Sequence, residues 1–394
     1  MTESGTGGRG RPVRGAEAIA LVQGLVSIPS LSTQESAAVD WFAAWMAEHG
    51  FAAEVDEAGN AIGRRGEGSN KIILLGHIDT FPGDLPVRRE GRWLHGRGSV
   101  DAKGALSAFA CAAASADVSE DWQVIVVGAI EEEASTSRGA RHVLAQMEAP
   151  QHCVIGEPSG WGRVTLGYKG ALQAKLHWRA AMAHSAGPHR LPAEQAVDIW
   201  NAINVHCSDF NRGRRGSFDR LEPSLRSIGT IDQDAFADIE MHLGFRVPPT
   251  LTPDEVAADV AEIVRRVVPD VTPHFQQPNS PAPGEGEAGL WFLGGEDAFR
   301  ASKSTDLVRG FLGAIREKGG KPRFVVKTGT SDMNVVGPSW GPSILAYGPG
   351  DSSLDHTPDE RLDLDEYLLA IEILRNALTF LQSDPGTAQR QCET

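Results

Sequence analysis

Gly76-His77-Ile78-Asp79-Thr80, followed by Gly98-Ser99-Val100-Asp101-Ala102-Lys103-Gly104, decides how this chain folds. The apolar run Ile72-Ile73-Leu74-Leu75 just ahead reads as a buried strand that delivers His77 and Asp79 to its carboxyl end. In an open α/β sheet, ligands bind along that edge. A histidine and a carboxylate two residues apart can divide the labour: His77 holds a metal ion, and Asp79 hydrogen bonds behind it and fixes the ring. Asp101 lies in a glycine-flanked loop just before an apolar helix expected over residues 105–116.

Further acidic or imidazole residues recur at comparable strand ends. The apolar run 123–130 stops at Glu131-Glu132-Glu133, Cys153-Val154-Ile155-Gly156 stops at Glu157, and 343–347 leads to Asp355-His356. Zinc accepts imidazole nitrogen and carboxylate oxygen in roughly tetrahedral sites. If Asp101 bridges two ions, one takes His77, Asp101 and Glu157, and the other takes Asp101, Glu133 and His356. A shared water then completes each set. Three adjacent carboxylates repel one another unless something positive neutralises them, so the glutamate run is expected to face cations.

Bulk composition narrows the class. The 394 residues suffice for two cores, and a hydrophobic fraction of 41% describes an ordinary globular protein. No stretch approaches the roughly 20 apolar residues of a membrane span. Residues 1–14 are rich in Gly and Arg without an apolar core, which excludes a secretory signal and predicts disorder. Cys111, Cys153, Cys207 and Cys392 lie in no metal-binding spacing and read as reduced thiols of a cytoplasmic protein. A net charge of −15 argues against nonspecific nucleic-acid binding.

The rhythm of the chain predicts an α/β protein with an insertion. Residues 33–49 carry apolar side chains at helical spacing and stop at Gly50. Alternating strands and helices up to about residue 164 imply a mostly parallel sheet covered on both faces. From about 165 the order becomes strand 170–178, helix 193–207, strands 227–231 and 236–247, helix 252–267 and strand 271–276, a ferredoxin-like β-α-β-β-α-β unit. The Pro-, Gly- and Glu-rich stretch 276–289 reads as the linker back. The expected division is a disordered 1–15, a catalytic domain from 16–166 and 284–382, a lid and dimerisation domain at 167–283, and a flexible 383–394.

The His77-Ile-Asp79 motif, the Asp101-Ala-Lys-Gly loop, the Glu132-Glu133 pair, Glu157-Pro-Ser and the late His356 together resemble the two-zinc amidohydrolase family. That family contains acetylornithine deacetylase, succinyl-diaminopimelate desuccinylase and glutamate carboxypeptidase. Within it, Gly156-Glu157-Pro158-Ser159-Gly160, Gly167-Tyr168-Lys169-Gly170 and Lys327-Thr328-Gly329-Thr330-Ser331-Asp332-Met333-Asn334 are similar to hydrolases that release lysine or ornithine from an amino-group carrier protein. The resemblance implies two Zn2+ per chain, with Co2+ able to substitute. It implies metal ligands His77, Asp101, Glu133, Glu157 and His356, with Asp79 behind His77 and Glu132 as general acid and base. The third glutamate leaves that frame open by one position. It further implies His184 as an oxyanion donor to the partner subunit of a homodimer built through the small domain, and substrate contacts at Arg246, Lys327 and Ser331. The acidic carrier protein would be the substrate. Arg212, Arg214, Arg215, Arg220 and Arg226 form a basic stretch that could dock it. The same motifs fit deacetylation of acetylornithine or desuccinylation of a diaminopimelate precursor, and a metal-free binding protein on this fold is the alternative of a different class.

Overall fold

The computed structural model describes residues 12–276 and 287–383, which form two compact units. The expectations for residues 1–11, for 277–286 of the linker and for 384–394 with Cys392 lie outside the described residues. One unit comprises the chain up to Gly167, Ala301–Val326 and the chain from Ser331; the other comprises Tyr168–Arg300 and Lys327–Thr330.

The first unit opens with helices α1 (Gly15–Val26) and α2 (Ser36–Glu48), and Gly50 at φ 84° ends the second in the left-handed conformation. Strands β1 (Ala52–Val55), β2 (Ala61–Arg65) and β3 (Asn70–His77) follow, then helix α3 (Lys103–Ser115), strand β4 (Trp122–Ala129), helix α4 (Arg138–Gln146), and strands β5 (His152–Gly156) and β6 (Arg163–Tyr168). The second unit contributes β7 (Gly170–Ala181), α5 (Pro192–Phe210), β8 (Glu222–Gln233), β9 (Phe236–Val247), α6 (Pro253–Val267), β10 (Thr272–Gln276) and β11 (Glu287–Glu296). The chain then supplies α7 (Asp306–Glu317), β12 (Arg323–Lys327), α8 (Asp332–Trp340), β13 (Ile344–Ala346) and α9 (Leu364–Leu381).

The large sheet runs β1-β2-β4-β3-β5-β13-β6. Its four central strands, β4, β3, β5 and β13, are parallel, and antiparallel pairs flank them. Parallelism is thus confined to the middle, where β3 and β4 are buried from Ile72 to His77 and from Val124 to Ala129. Helix α3 is almost entirely buried and alanine-rich, so it can lie close on the sheet. Gly76 and Gly156 make that approach feasible. They pair across β3 and β5, and a Cβ on Gly156 would meet Gly76 Cα and the Phe109 ring at 2.9 Å. Each glycine immediately precedes a candidate ligand, so close packing here fixes where His77 and Glu157 start.

The smaller sheet runs β8-β9-β7-β11-β10. Along β7, Leu172, Ala174, Leu176 and Trp178 alternate inward and join Ile199, Ile203, Met241, Val260 and Val264 in one apolar cluster. Each fully buried Leu, Ile or Val contributes about 1.5–3 kcal/mol to that core. The expected β-α-β-β-α-β order holds through Gln276. The linker expectation needs correction, because the chain adds β11 between β7 and β10 before leaving. Glycines within the strand and prolines just ahead of it masked it in the sequence, while Leu290, Trp291, Phe292 and Leu293 form only a short apolar run. The small unit therefore extends to Arg300, beyond the expected boundary at 283.

Candidate metal centre

The carboxyl ends of β3, β4, β5 and β13 carry His77, the Glu131–Glu133 turn, Glu157 and the loop to His356. The loop before α3 brings Asp101 to the same edge. Two donor groups converge there: His77, Asp101 and Glu157 form one, and Asp101, Glu133 and His356 form the other, with ligand atoms within 4.8 Å of one another in each. Asp101 is common to both. Its Oδ1 lies 3.2 Å from His77 Nε2 and its Oδ2 lies 3.1 Å from His356 Nε2. Glu133 Oε1 stands 3.0 Å from His356 Nε2, and Glu157 Oε1 stands 3.9 Å from His77 Nε2.

Asp79 is buried behind His77, 3.4 Å from its Nδ1, while that nitrogen also lies 3.0 Å from the Asp79 carbonyl oxygen. The Asp79 carboxylate also accepts the Glu132 amide at 3.1 Å and the Glu133 amide at 3.0 Å. One side chain therefore orients the ring and shapes the acidic turn. Ser32 Oγ donates to Asp79 at 2.7 Å, and Glu35 accepts the amides of Thr33 and Glu131. Ser32 and Glu35 carry no motif that would mark them in the sequence; only the fold brings their loop beside β3.

The three glutamates separate by partner. Glu131, at φ 57°, accepts from Thr136 Oγ1 and from Arg138 Nε at 2.7 Å. Glu132 Oε2 lies 3.9 Å from His77 Nε2, and Glu133 meets His356. The arrangement has Glu131 occupied elsewhere and leaves Glu132 and Glu133 facing the imidazoles.

Electrostatics follow from the crowding. Burial pushes the Asp101 carboxyl up, but hydrogen bonds from His356 and His77 outweigh it and hold the group well below the usual carboxylate range. Burial lowers the His77 imidazole, yet Glu132, Asp101 and Asp79 raise it well above its ordinary value. Burial raises Glu132 well above the carboxylate range; Glu157, Asp332 and Glu133 add to this and His77 opposes it. Hydrogen bonds to Asp101 and Glu133 raise His356 to about 10. Five carboxylates around two imidazoles make a site that seeks positive charge. The donor set, one imidazole nitrogen and two carboxylates in each group around a shared aspartate, fits a pair of divalent cations with N/O preference. In the metal-free protein, protons on the imidazoles stand where such cations would act.

This has a measurable consequence. A histidine raised from 6.5 to about 10 contributes stability that is complete below pH 6.5 and is lost as pH rises through 10. Chelator-treated protein should therefore melt at progressively lower temperature from pH 6.5 to 10, and His356→Ala should flatten that fall. Parallel melting curves for parent and variant across this window would contradict the coupling.

The remaining sequence candidates belong to neither donor group. His184 occupies an exposed loop of the small unit, with its Nδ1 accepting the Ala186 amide at 3.1 Å. Arg246 ends β9 opposite Glu222 and is exposed. Lys327 Nζ lies 5.8 Å from the Tyr168 ring centroid within the small unit. Ser331 is buried in the first unit and caps α8, its Oγ accepting the Met333 amide at 3.2 Å while its own amide donates to Asn334. Ser331 thus forms a capping box with Asn334 at the start of α8. Its neighbour Asp332, also buried, bears electrostatically on Glu132, a role that no spacing in the sequence marks.

A family model described as peptidase family M20/M25/M40 matches residues 73–379. LysW-lysine hydrolase of Deinococcus radiodurans is 44% identical over 371 residues, covering 92% of this chain and 96% of that protein. A protein of Thermococcus kodakarensis named putative LysW-lysine/LysW-ornithine hydrolase is 36% identical over 378 residues, covering 96% and 95%. Among solved structures, the Bacillus subtilis YXEP protein, titled a dinuclear metal-binding peptidase of the M20 family, superposes with a TM-score of 0.67 at 12% identity, over 94% of this chain and 99% of that one.

Proposed function

Since the chain belongs to peptidase family M20/M25/M40, we propose that it hydrolyses the amide joining lysine or ornithine to the terminal glutamate of an amino-group carrier protein, with two zinc ions in the paired donor groups. The observation that carries the substrate is the 44% identity, along 92% of the chain, to a relative whose name states that activity.

The chemistry is assigned residue by residue. His77, Asp101 and Glu157 would hold one cation; Asp101, Glu133 and His356 would hold the other. When bound, the pair would supply the positive charge that lowers the pKa of a water and polarises the amide carbonyl. Glu132 takes the proton of the attacking water and returns it to the leaving nitrogen. Its buried, carboxylate-crowded position raises its proton affinity, as that shuttle requires. Asp79 keeps the His77 ring and the Glu132–Glu133 turn in place. An amide made through the amino acid's α-amine leaves a free carboxylate, a partner suited to the planar guanidinium of Arg246, with Lys327 as a second contact. Turnover of carrier-linked lysine, carrier-linked ornithine, acetylornithine and succinyl-diaminopimelate should be compared directly. A kcat/KM highest on either carrier-linked substrate supports the proposal; preference for the small acylated substrates would move the protein to another branch of the family.

A homodimer through the small unit accompanies this proposal. Strand β8 is an edge strand on which Ile228 and Ile231 are 42% and 67% exposed, and α5 exposes Val197 and Val205. Apolar side chains beside an unpaired strand edge are the surface a second copy would cover. The buried free cysteines Cys111, Cys153 and Cys207 suit a reducing, cytoplasmic setting.

Carrier docking is assigned to the arginine stretch after α5. Arg212 is exposed and pairs with Asp209, the Arg214 guanidinium stacks 3.8 Å from the Phe210 ring centroid, and Arg215, Arg220 and Arg226 are exposed. Replacing Arg212, Arg215 and Arg220 with Ala should raise KM for carrier-linked lysine and weaken its salt dependence, while a small acylated lysine turns over as before. Equal losses on both substrates would remove the docking role.

A further inference from the structure

Arg97 and Glu360 have no part in the chemistry above, yet they form a buried ion pair between the loops that carry it. Arg97 Nη1 lies 2.8 Å from Glu360 Oε2, and the two side chains are 13% and 1% exposed. The other oxygen, Glu360 Oε1, accepts the backbone amides of Val100 at 3.0 Å and Asp101 at 3.3 Å. Arg97 Nη1 also donates to the Thr357 carbonyl at 3.3 Å, next to His356, and Nε donates to the Gly83 carbonyl at 3.0 Å. Phe81, near Gly83 in the chain, stacks on the His356 ring with centroids 4.1 Å apart and planes at 10°. The Arg97 guanidinium lies 6.0 Å from the Phe81 centroid. His356 itself is at φ 61°, a conformation a histidine holds only when its surroundings fix it.

A buried ion pair is weak evidence for stability, because desolvation offsets much of the attraction. What this pair does is geometric. One carboxylate oxygen grips the Asp101 loop, and the other, through Arg97, grips the His356 loop and the segment bearing Phe81. We propose that Arg97 and Glu360 are positioning residues that set the separation between Asp101 and His356, and with it the fit of the cation held by Asp101, Glu133 and His356. This inference rests on the two-cation reading of the site.

Zinc alone, titrated into chelator-stripped full-length protein against a chromophoric chelator, tests it. The parent should bind two zinc ions. In Glu360→Gln the amide oxygen can still accept from Val100 and Asp101, but the amide nitrogen cannot accept from Arg97. Arg97→Lys keeps the charge and loses the fork. Each of these variants should keep one zinc near parent affinity and weaken the other by about 10- to 100-fold, the usual cost of removing a group that orients a ligand. Glu360→Ala, which releases both loops, should weaken both ions. Parent-like binding of both ions in Glu360→Gln and Arg97→Lys overturns the proposal, as does equal weakening of both ions in each. Should Glu360→Ala fail to fold, those two conservative variants still decide. A parent that takes up fewer than two zinc ions would instead overturn the two-cation reading.

Discussion

Glu132→Ala is expected to keep both cations and to lose about 10²–10⁴-fold in turnover, which corresponds to roughly 3–5 kcal/mol of barrier. The expectation rests on the division among the three glutamates. Glu131 is turned to Thr136 and Arg138, Glu133 meets the His356 ring, and Glu132 is the carboxylate left beside His77 without a place in either donor group. Its backbone amide is held by Asp79, so removing its side chain should leave the turn intact. Glu133→Ala should behave oppositely and lose the cation it shares with Asp101 and His356. Bound metal measured by elemental analysis beside kcat separates the two. If Glu132→Ala loses a cation while Glu133→Ala keeps both, the roles are exchanged.

His184→Ala should cost about 10²–10³-fold in kcat, the usual effect of deleting one donor to a tetrahedral oxyanion. The residue sits on an exposed loop of the small unit, where its Nδ1 accepts the Ala186 amide. The proposed dimer gives it a task, donating into the neighbouring subunit's centre. Inactive His184→Ala and inactive Glu132→Ala subunits, mixed and allowed to exchange, should then regain partial activity, because one site in each mixed dimer has both residues intact. No recovery after exchange is verified by mass spectrometry would mean that His184 serves no site across the interface.

Much of the centre was legible because its chemistry is local in sequence. Apolar runs ending in His77, Glu131-Glu132-Glu133 and Glu157 announce strands by their burial, and the carboxyl ends of parallel strands share one edge. The apolar runs therefore point the candidate donors to one edge, and the structure brings them within reach of one another there. What escaped were side chains whose partners lie far along the chain. Glu360 grips amides more than 250 residues earlier, Ser32 reaches Asp79, and Glu35 reaches Glu131, with no spacing to betray them. Strand β11 escaped for a different reason: its apolar stretch is short and its neighbourhood has the composition of a linker. The capping role of Ser331 at the start of α8 escaped as well, because a hydroxyl in the Lys327–Asn334 segment reads equally as a cap or as a pocket contact.

The most direct test is a single time course. Chelator-stripped protein is mixed with carrier-linked lysine, free lysine is followed by mass spectrometry, and zinc is then added in steps. No lysine should appear before zinc, and release should rise to its full rate as about two equivalents per chain are bound, as the paired donor groups around Asp101 require. Lysine release by stripped protein, or none at any zinc dose, would contradict a two-cation amide hydrolase.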